Sequence, residues 1–238
     1  MSDVLTINDC ISADLLPGLA WLAGYPRSGA ALIRTILVHC FGHATGSSYD
    51  ESMLGEPYCE AVRLVAWPLS LGKFRDILLG QGTLFVKTHE LPEPGLPGIP
   101  TIVIVRDGRR TLESLKAFYL ECNAVEVTWP AMVAGQHIWG SWSDWVGGWA
   151  VAGPADALWL RYEDVMADTR GTVDRIARRF GIEPVGYEIP PFDSLQRGSP
   201  GIFRGCAVEG NGGMSPEVEE EFWRLHGGAM TMLGYHRD

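Results

Sequence analysis

Apolar residues along this chain fall into two rhythms. Leu19 to Ala23 is a short continuous apolar run stopped by Gly24, the pattern of a buried strand. From Gly29 the period changes: Ile33, Ile36, Leu37, Cys40 and Phe41 sit at helical spacing until Gly42 ends the helix. Thr83–Lys87 gives a second strand. Thr101–Val105 gives the clearest one, β-branched and apolar throughout, so it is expected to be covered on both faces. A helix should follow through Leu112, Leu115 and Tyr119, then a Trp-rich helical segment over 136–150, and a strand over Ala157–Leu160. Val165, Thr169, Val173, Ile176 and Phe180 predict one helix closed by Gly181. Ser215-Pro216 opens a last helix whose apolar face carries Phe222, Trp223, His226, Met230 and Leu233. Residues 43–82 read as irregular, with short helices near Glu60–Leu64 and Lys73–Leu79, and 92–100 reads as a Pro- and Gly-rich connecting loop.

Strands alternating with helices imply an α/β fold: one domain over residues 19–238, behind a lead-in at 1–18, with a central parallel sheet flanked by helices. Ligands of such sheets gather beyond the carboxyl ends of the strands. Gly24–Gly29 follows the first strand, Lys87 and His89 the second, Arg106 the third and Arg161 the last, so these residues are expected to converge.

The formal charge of −10 argues against nucleic acid or an anionic membrane as partner, though not against a small anion met by a local cluster of cations. Cys10, Cys40, Cys59, Cys122 and Cys206 are scattered, as reduced thiols of a cytoplasmic protein would be. No leader pattern or membrane-length apolar run is present, and the histidines form no ligand cluster, so no metal is expected. Whether the chain forms a homo-oligomer is left open.

Gly24-x-x-x-x-Gly29 between a strand and a helix has phosphate-loop spacing, with backbone N–H groups and a helix N-terminus turned toward an anion. The nucleotide-hydrolase motif would continue with Lys and then Ser or Thr to hold magnesium. Here Ala30 and Ala31 occupy those positions, and a cation, Arg27, lies inside the loop instead. An arginine grips two oxygens of one anion without a metal. On the loop alone, a turn capping a core helix and a P-loop small-molecule kinase remain alternatives.

Tyr25-Pro26-Arg27-Ser28-Gly29, Val86-Lys-Thr-His89, Val105-Arg106 with Ser114 eight residues later, and Leu160-Arg-Tyr-Glu-Asp164 together resemble the sulfotransferase family, in its order and at comparable separations. Phe203-Arg204-Gly205, followed by Met214-Ser-Pro-Glu217, resembles the family's last nucleotide-contacting loop and the helix behind it. The resemblance implies a P-loop-like fold and transfer of a sulfuryl group from 3′-phosphoadenosine 5′-phosphosulfate (PAPS) to a hydroxyl of a small-molecule acceptor, leaving 3′-phosphoadenosine 5′-phosphate (PAP), without metal. By the same resemblance, Arg27 matches the loop cation at the leaving group. Tyr25, Pro26, Ser28, Gly29, Ala30 and Ala31 match the donor-binding loop, with Ser28 and Gly29 as backbone donors. Arg106 and Ser114 match the pair that grips the 3′-phosphate, and Phe203, Arg204 and Gly205 the loop that closes over it. His89 matches the general base, with Lys87 beside it and Glu90 as the alternative base.

The chain also departs from the family pattern. Ala30 and Ala31 replace two hydroxyl residues, Leu32 stands where an aromatic often stacks on adenine, and glycines 210, 212 and 213 occupy the C-terminal loop. These changes keep open a catalytically impaired member that binds without turnover. Trp139, Trp142, Trp145 and Trp149 are read as core, Arg161–Asp164 as structural, and Arg109 and Arg110 as a solvated helix face. Tyr49, Tyr58, Trp67, Phe118, Tyr119 and Trp129 are the expected wall of the acceptor pocket.

Overall fold

A computed structural model describes residues 18–51, 54–66, 71–92, 98–123, 125–203 and 213–237. Six strands form one sheet: β1 (Leu19–Gly24), β2 (Thr45–Ser47), β3 (Leu64–Ala66), β4 (Leu84–Thr88), β5 (Thr101–Val105) and β6 (Leu158–Arg161). They lie side by side in the order β3-β2-β4-β1-β5-β6, and every pairing is parallel. The helices are α1 (Ala30–Phe41), α2 (Glu56–Ala61), α3 (Leu71–Gln81), α4 (Gly108–Asn123), α5 (Trp129–Val133), α6 (Trp142–Ala152), α7 (Tyr162–Ala167), α8 (Thr169–Phe180), α9 (Phe192–Gly198) and α10 (Pro216–Met232).

Side-chain alternation along the central strands divides the core. Ala20 and Leu22 of β1 and Ile102 and Ile104 of β5 pack under α1 and α8, against Ile33, Ile36, Val173 and Ile176. Ala23, Val103 and Val105 face the opposite way, onto Leu112 and Leu115 of α4, Trp145 and Trp149 of α6, and Phe222 and Met230 of α10. Both faces of β5 are therefore covered, and its five residues are buried as their unbroken apolar run requires.

The structure also redraws several expected elements. Two three-residue strands, β2 and β3, lie within the stretch expected to be irregular, and they extend the sheet at one edge. Leu64, expected to end a helix, belongs to β3, while α2 begins earlier, at Glu56. The single helix expected over 165–180 is two helices, because the Asp168 side chain accepts the Gly171 N–H at 2.8 Å and starts a new N-terminus. In the same way Ser141 caps α6 by accepting from Asp144 N, so the Trp-rich helix begins at Trp142 rather than 136 and Trp139 stands outside it. Helices α5 and α9 had no clear periodic signal, each being about two turns or less. Among the described residues, no helix is long and apolar enough to cross a membrane.

Candidate active site

The chain leaves β1 at Gly24 and turns through residues 25–29 into α1. Ser28 N donates to Tyr25 O at 3.0 Å, closing the turn, and Leu32 N donates to Gly29 O at 3.0 Å, opening the helix. Two residues here take left-handed backbone, Arg27 at φ 73° and Gly29 at φ 110°. At position 29 only glycine fits, because a Cβ would lie 2.6 Å from Cδ2 of Tyr162. No side chain caps α1, so the N–H groups of its first two residues, Ala30 and Ala31, have no capping side chain as acceptor. The Ser28 hydroxyl is buried and has no hydrogen-bond partner. An uncapped helix start, an orphaned hydroxyl and a cation in one loop suit a bound anion.

A cavity of about 280 Å³ opens beside this loop. Pro26, Arg27, Gly29, Ala30 and Ala31 line it, together with Arg106, Ser114 and Phe203. Arg27 ties three of the expected segments together. Its Nε donates to Ser114 Oγ at 3.1 Å, its Nη2 donates to Ile202 O at 2.9 Å, and its Cζ lies 5.2 Å from the centre of the Phe118 ring. The Arg106 guanidinium lies 4.6 Å over the Tyr162 ring, the same ring that abuts Gly29.

Not every expected residue faces this space. The Tyr25 side chain turns into the helical layer, where its hydroxyl donates to Gly140 O at 2.7 Å and lies 3.2 Å from His137 Nε2. It anchors the loop to the 137–140 turn. Arg161 lies over the Tyr235 ring at 4.2 Å, away from the cavity, and Glu163 accepts from Asp107 N and Tyr235 Oη, which is the structural part expected of that motif. Arg204 and Gly205 lie outside the described residues. Arg109 is not on a solvated face: it is buried, paired with Asp107 at 2.8 Å and Glu219 at 3.4 Å.

Lys87 and His89 line the same cavity from the end of β4, the strand next to β1. His89 Nδ1 lies 2.5 Å from Gly24 O, and since a carbonyl only accepts, Nδ1 carries the proton. In the neutral ring, Nε2 is then the free base. Burial, reinforced by the Lys87 charge and by Arg27 and Arg34, holds this imidazole well below its ordinary pKa despite the bond to Gly24. Tyr49 stacks on the ring at 5.3 Å between centres, and Trp139 meets it edge-on at 5.2 Å. The backbone is fixed as well: Tyr49 Oη accepts from His89 N at 3.0 Å, and Trp145 Nε1 donates to His89 O at 2.7 Å. Glu90 is exposed, does not line the cavity, and accepts from Tyr49 Oη at 3.0 Å.

Beneath Lys87 is a buried charge cluster that sequence reasoning missed. Lys87 Nζ donates to Glu51 Oε1 at 2.6 Å, and Arg34 Nη1 donates to Glu51 Oε2 at 2.5 Å and to Tyr58 Oη at 2.9 Å. Arg34 Nε donates to Thr45 Oγ1 at 2.7 Å. Burial alone would raise the Glu51 carboxyl, but Lys87 and Arg34 outweigh it and hold the group ionised below its ordinary value. An acid in an irregular stretch and an arginine inside an apolar helix gave no local sign of meeting. The arginine at helix position 34, against an otherwise apolar face, was the one available clue.

Of the aromatic residues expected around an acceptor, Tyr49, Tyr58 and Phe118 line the cavity. Tyr119 and Trp129 do not, and Trp67 lies outside the described residues. Trp142, Trp145 and Trp149 are core, as read from their spacing, whereas Trp139 lines the cavity.

The chain matches the model of the sulfotransferase domain over residues 17–188. A search of curated protein sequences finds no match. Among solved structures, mouse sulfotransferase SULT7A1 complexed with PAP is 19% identical, with a TM-score of 0.57 over 90% of this chain and 85% of that one. Retinol dehydratase in a complex with retinol and PAP is 16% identical, with a TM-score of 0.58 over 93% of this chain and 84% of that one. The solved structures share the fold, the family model spans the loop at 24–29, Lys87, His89 and Arg106, and the protein therefore belongs to the sulfotransferase domain family.

Proposed function

We propose that the protein transfers a sulfuryl group from PAPS to the hydroxyl of a small-molecule acceptor, with His89 as general base. The observation that carries this reading is the bond from His89 Nδ1 to Gly24 O. It leaves Nε2 as an acceptor on a side chain that lines the same cavity as the uncapped start of α1. Arg27, Arg106 and Ser114, which line the cavity, fit a donor with two anionic ends, and both structural neighbours were solved with PAP.

The donor supplies an electrophilic sulfur joined to a phosphate leaving group. His89 Nε2 accepts the acceptor's hydroxyl proton while the acceptor oxygen forms its bond to sulfur and the sulfur–oxygen bond to the phosphate breaks. The depressed pKa of His89 keeps it unprotonated, and so ready, across the neutral range. Lys87 offsets negative charge on the oxygen between sulfur and phosphate, and Arg27 with the α1 N-terminus takes the charge left on the phosphate. Tyr49, Phe118 and Trp139 give the acceptor an apolar wall beside the base.

The test is direct. PAP should raise the melting temperature without magnesium, and labelled donor should pass sulfuryl to members of a hydroxyl-compound panel. Stabilisation by PAP with no transfer to any acceptor would instead identify a binding member of the family. Response to Mg-ATP but not PAP would identify a kinase.

A further inference from the structure

The stretch after β2 reaches both proposed catalytic residues. Parallel pairing sets Ser47 beside Lys87, and Ser48 N donates to Lys87 O at 2.9 Å. From there Tyr49 stacks on His89 and Glu51 bonds to Lys87. Glu51 is 3% exposed and the Arg34 beneath it is fully buried, so this carboxylate is no chance surface partner. It is also unsuited to act as a base, because two cations hold its two oxygens.

We infer that Glu51 is the positioning residue of this site: it aims the Lys87 ammonium and keeps it charged, while Arg34 offsets the carboxylate so that the cluster retains one net positive charge facing the anionic donor. This inference rests on the reading of Lys87 given above. The groups around Lys87 explain why the device is needed. Arg34 on α1 and Arg27 on the donor loop oppose its charge, His89 on its own strand end is neutral, the Tyr49 ring adds a cation–π contact at 5.6 Å, and among the described residues Glu51 is the anion that supports it. Burial and the two arginines pull the lysine below its ordinary value, and Glu51 limits the fall. Arg34 does a second task. Fixed by Thr45 and Tyr58, it gives Glu51 one orientation, since one oxygen faces Arg34 and the other must face Lys87.

Lys73, Lys87 and Lys116 are the chain's three lysines, so Lys87 can be titrated on its own. The experiment measures the pH dependence of Lys87 acetylation by dilute acetic anhydride, read by peptide mass spectrometry with exposed Lys73 as internal reference. It uses the full chain, Glu51→Gln and Glu51→Asp. Glu51→Gln should move the onset of Lys87 reactivity at least one pH unit lower, and Glu51→Asp should restore most of it, because the charge returns on a shorter arm. Identical onsets in wild type and Glu51→Gln would overturn the inference. Should Glu51→Gln fail to fold, Glu51→Asp and Arg34→Gln carry the test. Removing the Arg34 charge should move the onset upward, and no movement would count against the network. A PAP melting shift is recorded in parallel. Its absence in the wild type would refute the donor reading, while the Lys87 titration judges Glu51 separately.

Discussion

The loop that ends β1 and the wall formed by Tyr49, Glu51, Lys87 and His89 face the same cavity, yet they are held in different ways. The loop takes its path from its own backbone, with a turn closed by Ser28 N, left-handed residues at 27 and 29 and a helix start with no cap, and Tyr25 and Arg27 then tie it to Gly140, Ser114 and Ile202. The second wall is shaped across the sheet, where the end of β4 supplies the reactive side chains and the chain after β2 orients them. A local device can be replaced piece by piece with graded loss. A device assembled from distant segments concentrates its function in one or two atoms, here the free Nε2 of His89. The two walls should therefore fail differently, one in donor affinity and the other in rate.

The largest expected effect is on the catalytic wall. His89→Ala should lower sulfuryl transfer by on the order of 10²–10⁴-fold, the usual worth of a positioned proton acceptor, while PAP still raises the melting temperature. Transfer measured with labelled donor and an accepted hydroxyl compound checks the first half, and thermal shift the second. Normal turnover would take the base role away from His89. Loss of PAP binding would mean that the two walls are not separable.

Arg106→Ala attacks the donor wall. Loss of a charge-assisted contact costs about 1.5–3 kcal/mol, so PAP affinity by calorimetry should fall roughly 10- to 100-fold. Ser114→Ala, which removes one neutral hydroxyl, should cost about 1 kcal/mol, close to fivefold. Turnover at saturating donor should change little in either. An unchanged affinity in Arg106→Ala would place the donor's second anionic group elsewhere in the cavity.

The same contrast explains what could be read before the structure. The strands at 19–24, 84–88 and 101–105 and the donor loop were legible because their signals are contiguous: apolar runs, a glycine stop, a cation within six residues. Strands β2 and β3 were not, since three residues such as Thr-Gly-Ser carry no period. Glu51, Arg34 and Trp139 were missed as site residues for a related reason. Each is defined by a partner far along the chain, and Trp139 shares its spacing with three core tryptophans although the local cap at Ser141 starts the helix after it. Tyr25 went the other way: its motif placed it at the donor, and the packing of its hydroxyl on Gly140 turned its side chain from the cavity.

Gly29→Ala tests how far the loop depends on its backbone. A Cβ here meets Tyr162 at 2.6 Å and a φ of 110° disfavours any L side chain. The strain should cost about 1–3 kcal/mol, which for a chain of this size lowers the melting temperature by roughly 2–4 °C for each kcal/mol. PAP binding should weaken along with it, because Tyr162 also carries Arg106. In a Tyr162→Ala background, itself less stable because that ring is buried, Gly29→Ala should cost less than it does in the wild type, since the clash is gone. An equal cost in both backgrounds would assign it to φ alone.

The smallest effect separates the walls by pH. Folding holds His89 well below its ordinary value of 6.5, mainly through burial and then the Lys87 charge. His226 and His137, both lowered by burial, behave alike. The unfolded chain therefore takes up protons near pH 6.5 while these folded histidines do not, and acidification favours unfolding. The stability is present in full above about pH 6.5 and is lost as pH falls from there toward the depressed folded values. Glu51 acts in a lower window, because its carboxyl is held below 4.5 when folded and its contribution disappears only under stronger acid. The donor loop holds no histidine, and Arg27 keeps its charge throughout. Melting temperature should thus fall by a few degrees between pH 7.5 and 5, and His89→Ala should flatten that slope while Arg106→Ala leaves it unchanged. Equal slopes in wild type and His89→Ala would show that the fold does not hold His89 neutral, and the base assignment would lose its electrostatic support.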